Sequence, residues 1–528
     1  MKLFDEWLLK FKKSGFGITD PNSLKSLFLI GICLAVFSCT PVNNDRLPDP
    51  KIQAGIAKVE GRITNYHPKK GESAPVLTLS VPHPVSAEMG VFKTQPGVDG
   101  RFYFEVPVEC TSNIGMIGCE LFDDNAVSLG LIPGEVTKLE ITYDSPDNLK
   151  AKMVSSIGLT SGDLPYYYKM FINFIVDRKS EGYYTMSPED FSHYAIEKLM
   201  VQRLKRSIND SVISEKAKRL ITNQCKLKYL KGALLTYPEY ISLNYRNFKK
   251  KGEPDNFTPQ EPKITYYSLL KDFNLNDPQY LYNDQYTEVF ETILSNKTLN
   301  IPAIKDTPVK EWLIGVKTTM AGLIGSDTGL FYDLLATNAY ARQFNNELKP
   351  LSDQQKENIR SYFKNEEITK ILLKRDEEVI KLEKEKNYFK TVVNTTPEVP
   401  KEALMNAIIA KYKGKAVLVD FWATWCGPCM NAMKETRDVK NEMHNKAVAF
   451  VYITNVSSPR TLWEEKIKII GGEHYYLNSE EWFSLMESFG FEGIPSYLFY
   501  DKNGVLKNKL TGYPGTEKMK EMIGELLP

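Results

Sequence analysis

The residues whose types and spacing most plainly do chemistry are Trp425-Cys426-Gly427-Pro428-Cys429. They follow an apolar run of strand type, Lys415 to Trp422, and precede a helical pattern that extends to about Met443. A cysteine that opens a helix sits among unpaired backbone N–H groups, where the helix dipole favours negative charge. A thiol–disulfide exchange nucleophile needs that position, because the thiolate attacks and the thiol does not. Lowering a thiol pKa from about 8.5 to about 7 is worth roughly 2 kcal/mol of preference for the anion. Two intervening residues let the second sulfur reach the first across one helical turn. Cys426 is therefore the expected nucleophile, and Cys429 the thiol that resolves the mixed disulfide. The pair could instead be half a zinc site, but no second cysteine or histidine pair accompanies it. His67, His83, His193, His444 and His474 are scattered without ligand spacing, so no metal site is expected. A purely structural disulfide is poorly explained at a strand-to-helix junction.

The elements that must position this pair follow in order. Ala447 to Asn455 reads as a second strand, and Ile494-Pro495 precedes a third, Ser496 to Tyr500. Asp501-Lys502-Asn503-Gly504 is a hairpin turn into an edge strand from Val505 to Gly512, and Thr516 to Leu527 closes with a helix. Between the second and third strands lie a helix (Leu462 to Ile470), a short strand (His474 to Leu477) and another helix (Ser479 to Phe489). Thr391 to Pro400 is polar and proline-containing and reads as a hinge into this last domain. Asp420 sits among strongly apolar neighbours, so burial is expected to raise its pKa.

Val417 to Cys429, VLVDFWATWCGPC, closely resembles the active-site strand and motif of thioredoxins. The longer stretch from Ser457 to Phe489 and the extra N-terminal regions make the chain similar to the TlpA-like thiol–disulfide oxidoreductases of bacterial envelopes. The resemblance covers residues 390–528. Further upstream it rests on domain order and on Leu275-Asn276-Asp277-Pro278. It implies an α/β thioredoxin-like fold with no cofactor beyond the redox-active Cys426–Cys429 disulfide. Pro495 would be cis and face the cysteines, and the Ile494 backbone would pair with bound substrate. Asp420 would relay the proton of Cys429. Trp425 would cover the nucleophile and contribute to docking, with Trp422 in the core. Gly427 and Pro428 match the reducing end of the exchange family, where potentials lie near about −270 mV. A membrane thiol electron donor is implied as the source of electrons. One departure stands out: Lys434 occupies the position where these families carry a helix-kinking proline.

The rest of the chain supplies context. A length of 528 residues implies several domains. The 67 basic and 66 acidic residues nearly balance, which gives no support for a nucleic-acid partner. Leu27 to Phe37 is an apolar run too short to span a membrane, preceded by Lys10, Lys12, Lys13 and Lys25. With Val36-Phe37-Ser38-Cys39 it looks like a bacterial lipobox, in which Cys39 takes the lipid; a plain cleaved signal and an uncleaved anchor are the other readings. The long stretch ahead of the apolar run suggests a start codon placed too far upstream. Residues 1–38 are thus expected to be a signal peptide and 39–51 a tether, placing the redox domain in the bacterial cell envelope, facing the periplasm.

Residues 52–148 read as a small β sandwich or barrel, and 149–389 as mostly helical. Ser187-Pro188 and Ser352 with Gln355 mark helix starts. Cys110 and Cys119 could bridge neighbouring strands or remain buried thiols. Tyrosines such as Tyr166-Tyr167-Tyr168 and Tyr280-Leu281-Tyr282 read as helix packing, with an aromatic peptide groove as the alternative. The expected function is membrane-tethered reduction of disulfides in envelope proteins, with dimerisation open. The alternatives are an oxidase or isomerase using the same pair, and a peptide-binding lipoprotein with a vestigial redox domain.

Overall fold

The computed structural model describes residues 46–64, 66, 74–119, 122, 126–143, 149–153, 157–160, 163, 182–208, 213–250, 252–254, 257–384 and 389–527. The expected signal segment, Cys39 and most of the tether lie outside the described residues, as does Tyr166-Tyr167-Tyr168. The chain forms two compact units. One takes in residues up to Pro84, Met89–Pro302 and Glu311–Leu335, and the other Val85–Glu88, Ala303–Lys310 and Ala336–Pro528.

The first unit contains strands β1 (Ile52–Ile63), β2 (Leu77–His83), β3 (Glu88–Thr94), β4 (Arg101–Cys110), β5 (Asn113–Cys119), β6 (Ala126–Leu131), β7 (Val136–Tyr143) and β8 (Leu149–Met153). They build two four-stranded sheets, ordered β4-β1-β7-β8 and β3-β2-β5-β6. Period-two patterning makes the strands: along β4, Phe102, Phe104 and Val106 are buried while Arg101, Tyr103 and Glu105 face solvent. Cys110 and Cys119 are not bridged, and Cys110 is a buried thiol. The reason is geometric. The length of β5 separates them, and seven extended residues span roughly 20 Å. Helices follow. Ser187 Oγ accepts from the Asp190 N–H at 3.1 Å and caps Pro188–Tyr194. Tyr280 and Tyr282 are packing residues, buried with their hydroxyls donating to the carbonyls of Phe273 (2.6 Å) and Pro48 (2.8 Å).

In the second unit, Ser352 and Gln355 form a capping box that opens the helix Asp353–Tyr362, and the helix Glu366–Lys384 follows. The C-terminal domain is a six-stranded sheet of β9 (Thr391–Asn394), β10 (Ala416–Phe421), β11 (Val448–Asn455), β12 (Gly472–Leu477), β13 (Ser496–Tyr500) and β14 (Leu506–Thr511). The order is β14-β13-β10-β11-β12-β9. β10, β11, β12 and β9 run parallel, whereas β13 and β14 are antiparallel to their neighbours. Every residue of β10 and β11 is buried, because helices cover both faces of the sheet. On one face Leu404, Ile408, Trp482 and Leu485 pack against Val417, Val419 and Phe421. On the other, Val439, Trp463, Met519 and Ile523 pack against Leu418, Phe450 and Phe499.

Thr391–Asn394, expected to be a hinge, is instead the edge strand β9, paired with β12 from Thr391↔Gly472 to Asn394↔Tyr475. Its valines are exposed (Val392 37%, Val393 53%), so backbone pairing rather than side-chain burial holds it.

Candidate active site

Alternation along β10 decides which side chains reach the cysteines. Val417, Val419 and Phe421 point into one core; Ala416, Leu418 and Trp422 point into the other, which also contains Cys426 and Cys429. Asp420 has the parity of the second set, so it projects into the layer that holds the cysteine pair. After β10 the chain turns through Ala423, Thr424 and Trp425 into the helix Gly427–Glu435, with Cys426 as its N-cap residue.

Cys426 and Cys429 are joined by a disulfide with Cα atoms 5.3 Å apart. The Cys429 N–H donates to Cys426 Sγ at 3.2 Å, so the sulfur sits where the helix N-terminus offers backbone donors. Cys429 is fully buried, and Cys426 is nearly so at 4% exposure. The Ile494–Pro495 bond is cis, and the Ile494 carbonyl oxygen lies 3.8 Å from Cys426 Sγ. Pro495 presents its own carbonyl to the Gly512 N–H at 2.8 Å, tying this bend to the edge of the sheet. Cys426, Cys429, Ile494 and Pro495 are thus brought together. Trp422 is fully buried, whereas Trp425 is 52% exposed beside the pair.

Two serines that were not singled out in the sequence hold the loop. The Thr424 N–H donates to Ser458 Oγ at 3.0 Å, and Ser458 Oγ in turn contacts Thr454 Oγ1 at 2.8 Å. The Trp425 indole N–H donates to Ser457 Oγ at 3.0 Å, and Ser457 Oγ donates to Asn455 Oδ1 at 2.6 Å. No motif marks these serines; they matter because β11 ends beside the loop that follows β10.

The helix does break, although Lys434 replaces the expected proline. It ends at Thr436 (φ −85°, ψ 0°), and a second helix, Arg437–Glu442, starts there. The Thr436 hydroxyl donates to the Ala432 carbonyl at 2.8 Å, the back-bonding that bends helices at threonine.

That break turns Lys440 inward. It is buried, and its Nζ donates to the carbonyls of Ile470 (2.6 Å) and Gly471 (2.8 Å) and to the Tyr452 hydroxyl (3.2 Å). Lys440 and Asp420 line the same small cavity, with Tyr452 and Tyr497 on its wall. Burial pushes the Asp420 carboxyl well above the ordinary carboxylate range, an effect that the positive charge of Lys440 partly opposes. Burial likewise pushes Lys440 down to about 7, opposed by Asp420 and reinforced by Arg437. Asp420 Oδ1 accepts no hydrogen bond among the described residues. His474 stacks on Tyr452 with ring centroids 5.0 Å apart, and burial, with Lys440 second, pushes it down to about 3. Lys440 gave no sequence signal, because a lysine in a charged helix normally faces water.

A helix-capping cysteine disulfide-bonded to its neighbour one turn on, with a cis proline beside it, on a sheet of this order, is an arrangement for exchanging disulfides. Residues 405–527 match the family model of the thioredoxin-like domain. The C-terminal domain is thioredoxin-like. Among curated relatives, thiol-disulfide oxidoreductase ResA of Geobacillus thermodenitrificans is 27% identical over 120 residues, covering 23% of this chain and 68% of that one. Thiol-disulfide oxidoreductase YkuV of Bacillus subtilis is 27% identical over 121 residues, covering 21% and 78%. A solved thiol:disulfide interchange protein of Chlorobium tepidum is 23% identical, covering 22% of this chain and 83% of its own, with a TM-score of 0.20. All three likenesses cover less than a quarter of the chain. Among the described residues no group of His, Cys, Asp and Glu is placed to hold a metal ion. No described helix is long and apolar enough to cross a membrane.

Proposed function

We propose that the chain is a thiol–disulfide oxidoreductase that works as a membrane-tethered reductase of disulfides in bacterial envelope proteins. The observation that carries the exchange chemistry is the buried Cys426–Cys429 disulfide at a helix N-terminus, with the Ile494 carbonyl 3.8 Å from Cys426 Sγ. Once reduced, Cys426 attacks a substrate disulfide as the thiolate. One substrate sulfur leaves and takes a proton, and the other stays bonded to Cys426. Asp420 accepts the Cys429 proton, Cys429 attacks Cys426 Sγ, and the second substrate thiol is released. Two electrons pass to the substrate, and the enzyme is left with the disulfide seen here.

The reducing direction is supported by Gly427 and Pro428 between the cysteines. The tether is supported by the lipobox-like Val36-Phe37-Ser38-Cys39, with Cys39 carrying the lipid. Working outside the cytoplasm, such a reductase draws electrons from a membrane thiol donor. The reduction potential tests direction: equilibration with glutathione and dithiothreitol should place it near about −270 mV. A value near about −120 mV, the range of a strong oxidant, would overturn the reductase reading.

A further inference from the structure

Arg460 has a geometry that neither the exchange chemistry nor the packing of the sheet uses. Its guanidinium carbon lies 4.3 Å from the centre of the Trp463 ring and 4.7 Å from that of Tyr476. Trp463 is fully buried and its ring sits 5.0 Å from that of Tyr476, so the two form a firm bed for the planar cation. Arg460 Nε donates to Glu464 Oε1 at 2.8 Å, one turn further along the helix Arg460–Ile470. Three contacts therefore hold the group, yet its side chain is 51% exposed. Its two terminal nitrogens make no hydrogen bond among the described residues, which leaves an ordered fork of donors facing solvent. A cation in the first turn opposes the helix dipole, so helix stability does not call for this arginine.

The fork stands near the cysteine pair. Trp463 belongs to the core layer that contains Cys426 and Cys429, and Tyr476 packs against that layer, so Arg460 lies on the same face of the sheet as the disulfide. It also lies at the same edge. Ser458 Oγ accepts from the Thr424 N–H at 3.0 Å, and the Ser458 carbonyl accepts from the Tyr476 hydroxyl at 2.5 Å. One serine thus ties the cysteine loop to the ring beneath the guanidinium. Tyr476 is on β12, two strands from β10, a separation of about 10 Å. About three residues of extended chain cover that distance. Trp425 and Val456, the latter in the loop that leads from β11 to Arg460, add exposed apolar surface to this rim.

We propose that Arg460 is a specificity-determining residue of the exchange site: it pairs with a carboxylate that the substrate carries about three residues from the cysteine attacked by Cys426, and so selects disulfides flanked by Asp or Glu. The inference rests on the exchange reading above. The bond to Cys426 fixes one point of the substrate chain, and Arg460 fixes a second. A guanidinium suits that second point because its parallel N–H groups match the two oxygens of a carboxylate, and stacking has already ordered it. Glu464 occupies Nε alone and leaves the fork open.

The test uses the full mature chain, reduced, and synthetic peptides of otherwise neutral sequence joined as disulfide homodimers. One peptide has Glu three residues to either side of its cysteine, a second has Gln there and a third Lys. Timed acid quenching and chromatography of the released monomer give a rate constant for each dimer. Dividing by the rate at which dithiothreitol opens the same dimer removes differences in intrinsic reactivity. At low salt the unsubstituted chain should open the Glu dimer about three- to tenfold faster than the Gln dimer, and the Lys dimer more slowly than either. The ratio should shrink toward one as sodium chloride rises to about 0.5 M. Arg460→Met, which keeps an apolar chain on the two rings, should bring the ratio to about one. Arg460→Glu should reverse the order, so that the Lys dimer leads.

Equal rates for the Glu and Gln dimers in the unsubstituted chain, a ratio that salt leaves unchanged, or a ratio that survives in Arg460→Met would overturn the proposal. So would a preference for the Glu dimer in Arg460→Glu. Should the variants fold poorly, the order of the three dimers and its salt dependence in the unsubstituted chain decide. A chain that opens none of the dimers would overturn the exchange reading itself, and the part of Arg460 with it.

Discussion

The Trp425 indole donates its N–H to Ser457 Oγ at 3.0 Å, which fixes a half-exposed ring beside the nucleophile. Ser457 is itself held by Asn455 at the end of β11, so the exposed ring is braced by the strand next to β10. An exposed tryptophan held in one orientation offers a large apolar contact at little cost in side-chain ordering. Trp425→Ala should therefore raise KM for a protein disulfide by about three- to tenfold and change kcat by less than about twofold. Ser457→Ala should move KM in the same direction by a smaller factor, and steady-state insulin reduction at several substrate concentrations separates the two constants.

Cys429 is fully buried behind Cys426, so an outside disulfide meets Cys426 first. Cys429→Ser should stall the reaction at a covalent complex through Cys426, visible as a thiol-sensitive band on a non-reducing gel of envelope extract. Cys426→Ser should form no such complex and lose at least about a thousandfold in exchange rate. A Cys429→Ser chain that captures no protein would favour a binding module with an inactive last domain.

How much of this was legible beforehand follows from distance along the chain. Cys426, Cys429, the strand before them and the helix after them are contiguous, and local pattern places them. The burial of Asp420 also follows from its apolar neighbours. Ser457 and Ser458 reach the site only because β11 lies parallel to β10. That pairing is a long-range crossover, and no local spacing records it. Arg437-Asp438-Val439-Lys440 looks like an exposed helical face, yet the break at Thr436 rotates it and Lys440 ends inside. Thr391–Asn394 was obscured for another reason: an edge strand of four residues owes its existence to the partner it pairs with.

His474 bears on the acid limit of the fold. Its ring is pushed down to about 3 by burial and by Lys440, against about 6.5 in an unfolded chain. Between those values the unfolded state binds the proton that the folded state refuses, so stability falls as pH falls through 6.5 toward 3. The loss from this group has a limiting slope of about 1.4 kcal/mol per pH unit. The His474 ring nitrogens should show no titration in NMR spectra between about pH 7 and pH 5. His474→Phe, which keeps a ring against Tyr452, should shift acid unfolding of the C-terminal domain to lower pH. A His474 ring that titrates near its ordinary value would contradict this account.

Lys440 gives a slope of the same sign on the alkaline side. Its pKa is about 7 when folded and 10.5 when free, so the unfolded chain binds more protons across that interval and this group adds stability as pH rises. Below the folded value the lysine is charged in both states and its contribution is flat. Lys440→Met removes the slope and deprives Asp420 of its nearest counter-charge, so Asp420 resists ionisation more strongly in the variant. Both effects have the same sign. The stability of wild type relative to Lys440→Met should rise by about 1 to 3 kcal/mol between about pH 7 and pH 9. Hydrogen exchange of the β10 and β11 amides, corrected for intrinsic rates, reports this domain without interference from the first unit. A difference that stays constant with pH would mean that the lysine titrates as it does in water, which its fully enclosed ammonium does not allow.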